Sequence, residues 1–552
     1  MPQERDGEAL VFDVVIVGAG FAGLYACYRL RKAGFSVRVL EAGSDVGGTW
    51  YWNRYPGARC DVESLSYSYS FNEDLQQDWR WTKRYAEQPE ILSYINHVAD
   101  RFDLRKDIAF ETRVLTAAFD EAAGLWRIVT DHGETLTARY CIMATGSLST
   151  PKYPEIPGIH EFTGECYHTA AWPHEGVAFC GKRVGLIGTG ATGVQAAPVI
   201  AREARHLTVF QRTANFSVPA WNRDLTDEED AAWKANYAFW RGKERSTHTG
   251  FHNEGGHPRA TKLTSQERLE TLEAGWRQGG LLMWNVFSDL MTDRMANEVT
   301  AEFLRGKIRQ TVNNPQTAEL LCPRSHPVGS KRLCVDSGYY ETFNRDNVGL
   351  VDVGTQPIEA IVPGGLLHAG KHYELDMLVF ATGFDAMTGT LLCIDVRGKN
   401  GLSLAEKWRE GPQSLLGLAM SGFPNLFTIT GPGSPSVLSH VLMAIEQHVD
   451  WISDCLCHMR LHGFQQIEAS EQAEADWGAH VQEVANGTFF REANSWYMGA
   501  NVPGKPRVFM PYTGGAHKYR AHCDDVASAG YEGFILRAAN TVTPAAADAS
   551  AP

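Results

Sequence analysis

The sequence lacks any apolar run approaching the length of about twenty residues that a helix needs to cross a bilayer. Its first residues, Met1 to Val11, carry Glu4, Arg5, Asp6 and Glu8 ahead of a short apolar run, so neither a membrane anchor nor a secretory leader is expected. It also lacks an excess of positive charge. Its 51 Lys and Arg stand against 65 Asp and Glu, a formal net charge of −14, which argues against a nucleic-acid or anionic-membrane surface. There is no Cys-x-x-Cys pair. The 11 cysteines (Cys27, Cys60, Cys141, Cys166, Cys180, Cys322, Cys334, Cys393, Cys455, Cys457 and Cys523) are odd in number and scattered. Neither a disulfide framework nor a metal site is indicated, and reduced thiols in a cytoplasmic protein are the plain reading.

What is there is ordinary globular composition, 44% hydrophobic and 21% charged over 552 residues. That length predicts two or three domains. A β-branched run, Val14 to Val17, leads into Gly18-Ala19-Gly20-Phe21-Ala22-Gly23, a helical stretch to about Ala33, and a second run from Val37 to Leu40 that ends in Glu41. This is a βαβ unit. A second copy runs from Val184 to Ile187 through Gly188-Thr189-Gly190-Ala191-Thr192-Gly193 and a helical stretch to about Ala204. It closes at Leu207 to Phe210, followed by Gln211-Arg212-Thr213. The fold class is therefore α/β, with two Rossmann-like dinucleotide-binding domains. Between about Trp221 and Leu321 charged, Trp-rich helical stretches such as Glu228 to Arg241 and Ser265 to Arg277 predict a helical insertion. Apolar runs return at Leu350 to Val353 and Met377 to Phe380, the latter closing into Ala381-Thr382-Gly383, a repeat of Ala144-Thr145-Gly146 that marks crossings between nested domains. The expected division is residues 1–149 with 386–540, residues 150–220 with 331–385, an insertion at 221–330 and a featureless tail at 541–552.

In the first glycine set, Gly18 permits the tight turn, Gly20 lets the backbone approach a pyrophosphate and Gly23 lets the helix pack on the strand. Glu41 stands about 20 residues on, where a carboxylate accepts from ribose hydroxyls. A glycine-rich turn in an unrelated βαβ unit is the alternative. In the second set no carboxylate follows the second strand, and Arg212 would pair with a 2′-phosphate, which selects NADP unless Arg212 is a solvated strand-end cation. One site that accepts ribose hydroxyls and another for NADP imply a flavoprotein, with FAD reduced by NADPH through hydride transfer. Disulfide reduction needs two redox cysteines beside the flavin, and only Cys60 occurs between Glu41 and Phe71. Oxygen is thus the expected acceptor.

The segment Phe162-Thr163-Gly164-Glu165-Cys166-Tyr167-His168-Thr169-Ala170-Ala171-Trp172-Pro173 resembles the fingerprint of the Baeyer–Villiger monooxygenases, carried by Phe162, Gly164, His168, Trp172 and Pro173. The stretch from Gly47 to Asp61, Gly-Gly-Thr-Trp-Tyr-Trp-Asn-Arg-Tyr-Pro-Gly-Ala-Arg-Cys-Asp, is similar to the family's companion motif. The two together are specific, because N-oxidising relatives share the glycines and the histidine but not the aromatic-proline ending. The likeness extends from about Val14 to Gly533 and is nearest the phenylacetone and steroid monooxygenase branch, supported by Lys331 to Tyr340, Gly431 to Leu438 and Trp496 to Gly504.

The resemblance implies NADPH- and O₂-dependent oxidation of ketones to esters or lactones through a flavin peroxide, with sulfoxidation as a side activity. N- or S-oxygenation and a non-oxygenating NADPH oxidase are the alternatives. It assigns Arg332 as the fixed cation and Asp61 as the carboxylate that orients it, although from composition alone Lys331-Arg332 reads as a solvated basic pair. Gly48, Thr49, Trp50 and Asp61 would contribute to cofactor binding. Thr189, Thr192 and Gln195 would lie near the second pyrophosphate, and Lys331 would join Arg212 and Thr213 at the 2′-phosphate. Trp496 would fold over the nicotinamide, and His168 would be a hinge residue. Ser436, Val437 and Leu438 are expected in the substrate pocket, and Met443, Tyr67 and Phe71 serve equally as wall or core. The expected partners are a small ketone and O₂, with no nucleic acid, no membrane and no metal, and the expected assembly is a monomer or weak homo-oligomer.

Overall fold

A computed structural model of the chain describes residues 10–252 and 256–538. The expected tail at 541–552 and the N-terminal residues 1–9 lie outside them. Val14, Val15, Ile16 and Val17 are each at most 7% exposed, which is why this β-branched run becomes a central strand covered on both faces. The strand, Leu10–Val17, pairs in parallel with Val37–Leu40 on one side and Thr135–Met143 on the other. The intervening helix, Phe21–Lys32, starts directly after Gly20 and carries Arg29, Arg31 and Lys32 in its last turn, where cations complement the helix dipole. Its Leu24 and Leu30 share a core with Ile452 and Leu456 of the long helix Val441–His462.

Eight strands among the described residues form the first sheet, one of them Leu426–Thr428, which pairs in parallel with Thr135–Met143. The second sheet has five parallel strands in the order Val348–Asp352, His206–Gln211, Arg183–Ile187, Met377–Phe380 and Glu165–His168. Both sheets have the Rossmann-type arrangement of strand, glycine turn, helix and parallel strand. The two Ala-Thr-Gly turns sit behind the glycine turns. A Cβ on Gly18 would lie 2.7 Å from the Ala144 carbonyl oxygen, and one on Gly188 would lie 2.4 Å from that of Ala381.

The region 221–330 is helical, with Asp227–Lys234, Tyr237–Ser246, Ser265–Gln278, Arg294–Thr311 and Pro315–Leu321. The helical stretch expected from Glu228 to Arg241 is two helices. Thr226 and Glu229 form a capping box that starts the first one. The Asn236 amide donates to the Ala232 carbonyl (2.9 Å) at the break, a local bond that competes with helix continuation. No helix among the described residues is long and apolar enough to cross a membrane.

Candidate functional site

Both glycine turns, the 47–61 segment, Lys331-Arg332, Val437 and Trp496 open onto one cavity of about 1190 Å³. Gly18 has φ +105°, a conformation that side-chain-bearing residues rarely adopt. Gly20 and Gly48 face each other so closely that a Cβ on Gly48 would lie 2.9 Å from the Gly20 Cα. The Gly47 N–H donates to the Ala19 carbonyl (3.1 Å) and holds the second loop against the first. Gly23 and Gly193 do not line the cavity. A Cβ on either would lie within 2.2 Å of the carbonyl oxygen of Gly18 or Gly188, so both serve helix-on-strand packing. The buried Glu41 carboxylate accepts from the N–H groups of Ala19 (2.7 Å) and Gly43 (2.7 Å) at the cavity wall. These bonds fix its orientation and leave each oxygen a second lone pair for a ribose hydroxyl. Thr49 and Trp50 also line the cavity, and the Trp50 indole donates to Tyr67 Oη (3.2 Å).

At the second turn, Thr189 Oγ1 donates to the Thr213 carbonyl (2.8 Å), tying the turn to the strand end beside it. A Cβ on Gly190 would meet no protein atom within 4 Å, because the space ahead of it is the cavity. Thr192, Arg212 and Lys331 share the same wall. Among the described residues no carboxylate pairs with Arg212 or Lys331. Burial, and then the like charge of Arg212, hold the Lys331 ammonium below its usual pKa. Uncompensated cations gathered around one space fit an anion. Gln195 lies on this wall too, but its amide is engaged elsewhere. Its Oε1 accepts from Tyr55 Oη (2.8 Å) and the Arg59 N–H (3.4 Å), and its Nε2 donates to the Arg59 carbonyl (3.2 Å). In this structure Gln195 clamps the 55–59 segment while still lining the cavity.

Arg332 is held on several sides. Nε and Nη2 donate to Asp61 Oδ2 (2.9 Å) and Oδ1 (2.8 Å), a bidentate pair, and Nη1 donates to the Val437 carbonyl (2.9 Å). The guanidinium lies 5.5 Å from the Trp284 ring centroid. Burial opposes its charge, but Asp61, with Tyr497 and Cys60 beside it, offsets this and raises its pKa above the ordinary arginine value. The cation is therefore permanent, and the Tyr497 hydroxyl faces it as a further neighbour.

Of the expected pocket residues only Val437 lines the cavity. Ser436 is fully buried with its hydroxyl unpartnered, and Leu438 is buried in the main core. Tyr67 lines the cavity, whereas Phe71 packs against Tyr25, Tyr28 and Phe102, and Met443 approaches Gly250. Trp496 lines the cavity and packs with Ala386, Met387 and Val437.

The 162–173 fingerprint lies off the cavity, apart from the approach of Ala170 and Ala171. Phe162 packs with Ile361 and Leu366, Trp172 packs with Leu186 and Val209, and a Cβ on Gly164 would strike the Asp376 carbonyl at 2.4 Å. The Pro173 carbonyl accepts from the Gly176 N–H (3.2 Å). His168 is buried. Its Nδ1 accepts from the Ala170 N–H (3.1 Å), so Nε2 carries the proton and faces the Lys152 carbonyl (3.2 Å) and Thr382 Oγ1 (3.3 Å). Burial lowers its pKa, so it is a neutral strut between chain segments rather than a base at the cavity.

The sequence reading missed Trp284, Tyr55 and Lys152. Nothing in residue spacing marks Trp284, one of 15 tryptophans, as the face under Arg332. Among the described residues all cysteines are free, and no group of His, Cys, Asp and Glu is placed to hold a metal ion.

Residues 15–226 match the family described as pyridine nucleotide-disulphide oxidoreductase. The chain is 44% identical over 529 residues to a Baeyer–Villiger monooxygenase of Pseudooceanicola batsensis, covering 95% of this chain and 96% of the relative. It is 41% identical over 537 residues to a phenazine N-monooxygenase of Lysobacter antibioticus, covering 96% and 98%. A solved structure of an oxidized steroid monooxygenase bound to NADP is similar with a TM-score of 0.92 and 49% identity, covering 96% of this chain and 99% of that one.

Proposed function

Because the chain belongs to the Baeyer–Villiger monooxygenases, we propose that it oxidises ketones to esters or lactones with NADPH and O₂. Its cofactors are FAD and NADP(H), with FAD on the first glycine turn and NADP(H) on the second. When bound, these groups supply hydride transfer and oxygen activation. The chain supplies the surroundings. The observation that carries the reading is the half-buried guanidinium of Arg332, kept charged by Asp61 and aimed by the Val437 carbonyl and Trp284. Negative charge that develops during oxygen insertion is stabilised by such a preorganised cation in a site shielded from water. The apolar side chains of Val437, Val441 and Ile445 on the same wall suit a neutral ketone.

The division into an FAD unit (1–149 and 386–540), an NADP unit (150–220 and 331–385) and a helical insertion (221–330) is supported by the origin of the strands in each sheet. The reading takes the protein as a cytoplasmic monomer or weak homo-oligomer, in line with the free thiols among the described residues. The similarity to a phenazine N-monooxygenase supports a second reading, N- or S-oxygenation in the same cavity.

The test incubates FAD-loaded protein and NADPH with linear, cyclic, aryl and steroid ketones, a sulfide and an aromatic N-heterocycle, and quantifies oxygenated product and hydrogen peroxide by mass spectrometry and a peroxide assay. Esters or lactones are expected. Product from the sulfide or heterocycle alone would favour the second reading, and peroxide alone would indicate an NADPH oxidase.

A further inference from the structure

Lys152 stands where the second glycine turn meets the loop that follows Trp496. Its N–H donates to the Gly383 carbonyl (2.9 Å), and its carbonyl accepts from Thr382 Oγ1 (2.5 Å). The backbone of Lys152 is thereby fixed to the end of the strand Met377–Phe380, whose next residue, Ala381, abuts Gly188. The side chain lines the cavity, and its Nζ donates to the carbonyl oxygen of Asn501. The loop is tied down on the same side by two further contacts: Asn501 Nδ2 donates to the Phe384 carbonyl (2.7 Å), and Lys505 Nζ pairs with Asp385. Among the described residues no carboxylate lies within ion-pair distance of Lys152; Glu155 and Asp385 attract it from farther off, and Asp385 is already paired with Lys505. Burial, followed by the repulsion of Arg212, holds its ammonium below the usual lysine pKa. An ammonium has three donors. The Asn501 carbonyl takes one and leaves two on the wall that Arg212, Thr213 and Lys331 share.

We propose that Lys152 is a third cation for the 2′-phosphate of NADP(H), and that by donating at once to the phosphate and to the Asn501 carbonyl it closes the 494–507 loop more firmly over NADP(H) than over NAD(H). The proposal rests on the reading of the second glycine turn as the NADP site. A lysine that merely caps a loop carbonyl would stabilise the loop equally with either nucleotide. A bridging lysine makes closure depend on the phosphate, because the phosphate offsets the repulsion from Arg212 and fixes the ammonium where it reaches Asn501.

The test uses FAD-loaded protein, NADP⁺, NAD⁺ and adenosine 2′,5′-bisphosphate as probes, with affinity from calorimetry and hydrogen exchange read on peptides covering 494–507. In Lys152→Met the NADP⁺ affinity is expected to fall about tenfold, the loss of one charge-assisted contact, while NAD⁺ affinity stays within twofold. The extra protection that NADP⁺ gives the loop over NAD⁺ is expected to disappear. Lys152→Arg is expected to keep both effects, and unchanged FAD content in each variant shows that the fold survives. A NADP⁺/NAD⁺ affinity ratio within twofold of the parent in Lys152→Met overturns the proposal, as does a lowered ratio with loop protection intact. Arg212→Ala is the control. If it too leaves the ratio unchanged, the NADP reading of this turn fails; if it alone lowers the ratio, only the assignment of Lys152 fails.

Discussion

Arg332→Met is expected to separate NADPH consumption from oxygen insertion. The substitution keeps an apolar stem against Trp284 but removes the bidentate pair with Asp61, the bond to the Val437 carbonyl and the cation itself. Loss of one preorganised charge-stabilising donor costs about 10²- to 10³-fold in rate, or ~3–4 kcal/mol, and here the full charge is lost with it. Ester formation should fall by at least about a hundredfold, while flavin content stays at the parental level and NADPH is still consumed, now yielding hydrogen peroxide. The change also strands Asp61. Breaking a fully buried pair costs ~3–5 kcal/mol, but the Arg332 and Asp61 side chains are 19% and 23% exposed, so the lower end of that range or less is expected. Adding Asp61→Asn should recover stability without recovering ester formation, which divides the structural role from the chemical one. Arg332→Lys retains a charge that burial pulls down and Asp61 holds up. Because only the charged form supports insertion, its ester formation should fall as pH rises, an alkaline limb absent from the parent. Mass-spectrometric ester yields beside NADPH and peroxide assays measure all of these. Ester formation in Arg332→Met within tenfold of the parent would refute the assignment of Arg332 as the required cation.

Gly190→Ala should fold normally, since its Cβ meets no protein atom within 4 Å, yet raise the KM for NADPH about tenfold or more; Gly23→Ala, with its Cβ 1.8 Å from the Gly18 carbonyl oxygen, should fail to retain flavin. Flavin absorbance and KM distinguish the two, and equal behaviour would contradict the placement of the turns. Gln195→Leu should leave flavin reduction by NADPH close to parental but increase the peroxide share, because it frees Tyr55 and Arg59 and slackens the chain leading to Asp61; an unchanged peroxide share would count against the clamp. His448 and His326 are both held down to about 3, chiefly by burial. An unfolded chain with histidines near 6.5 therefore binds extra protons as pH falls from 7.5 to 6, and stability is lost at up to roughly 1.4 kcal/mol per pH unit for each. Melting temperatures across that range should decrease, and a flat profile would show that these histidines are not buried and neutral.

The strand–turn–helix units were legible because their signals are local. A β-branched run, a glycine at positive φ and a helix face that must approach the strand leave a fixed spacing in the chain. Glu41 was legible for the same reason, standing at the end of the next strand. The surroundings of Arg332 were less accessible. The family resemblance pointed to Arg332 and Asp61, but Trp284 and the Val437 carbonyl are tertiary contacts, and a backbone acceptor leaves no trace in side-chain identity. Ser436 and Leu438 were misjudged because a 3₁₀ turn does not show from its sequence which side chains face inward. Gln195 followed a glycine turn and so suggested a nucleotide contact, but its partners Tyr55 and Arg59 are about 140 positions earlier in the chain, beyond any periodicity argument.

The placement of those distant partners ties nucleotide binding to the reacting end of the cavity. Lys331 faces Arg212 on the NADP wall, and its chain neighbour Arg332 reaches Asp61 and Val437. Asp61 in turn lies two residues beyond Arg59, whose N–H and carbonyl are both held by Gln195 on the helix that starts at the second glycine turn. Each member of the Arg332–Asp61 pair is thus fixed, within two residues, to a group beside the second nucleotide. Two short tethers from one wall leave the pair little freedom to shift independently of that wall, since a trans peptide allows about 3.8 Å between successive Cα atoms. A rigid shift of the second sheet would therefore carry the cation and its carboxylate together and preserve their bidentate geometry. A guanidinium tethered through only one partner would be displaced from the other by the same motion. The paired attachment holds Arg332 and Asp61 in register with Arg212, Lys331 and Gln195.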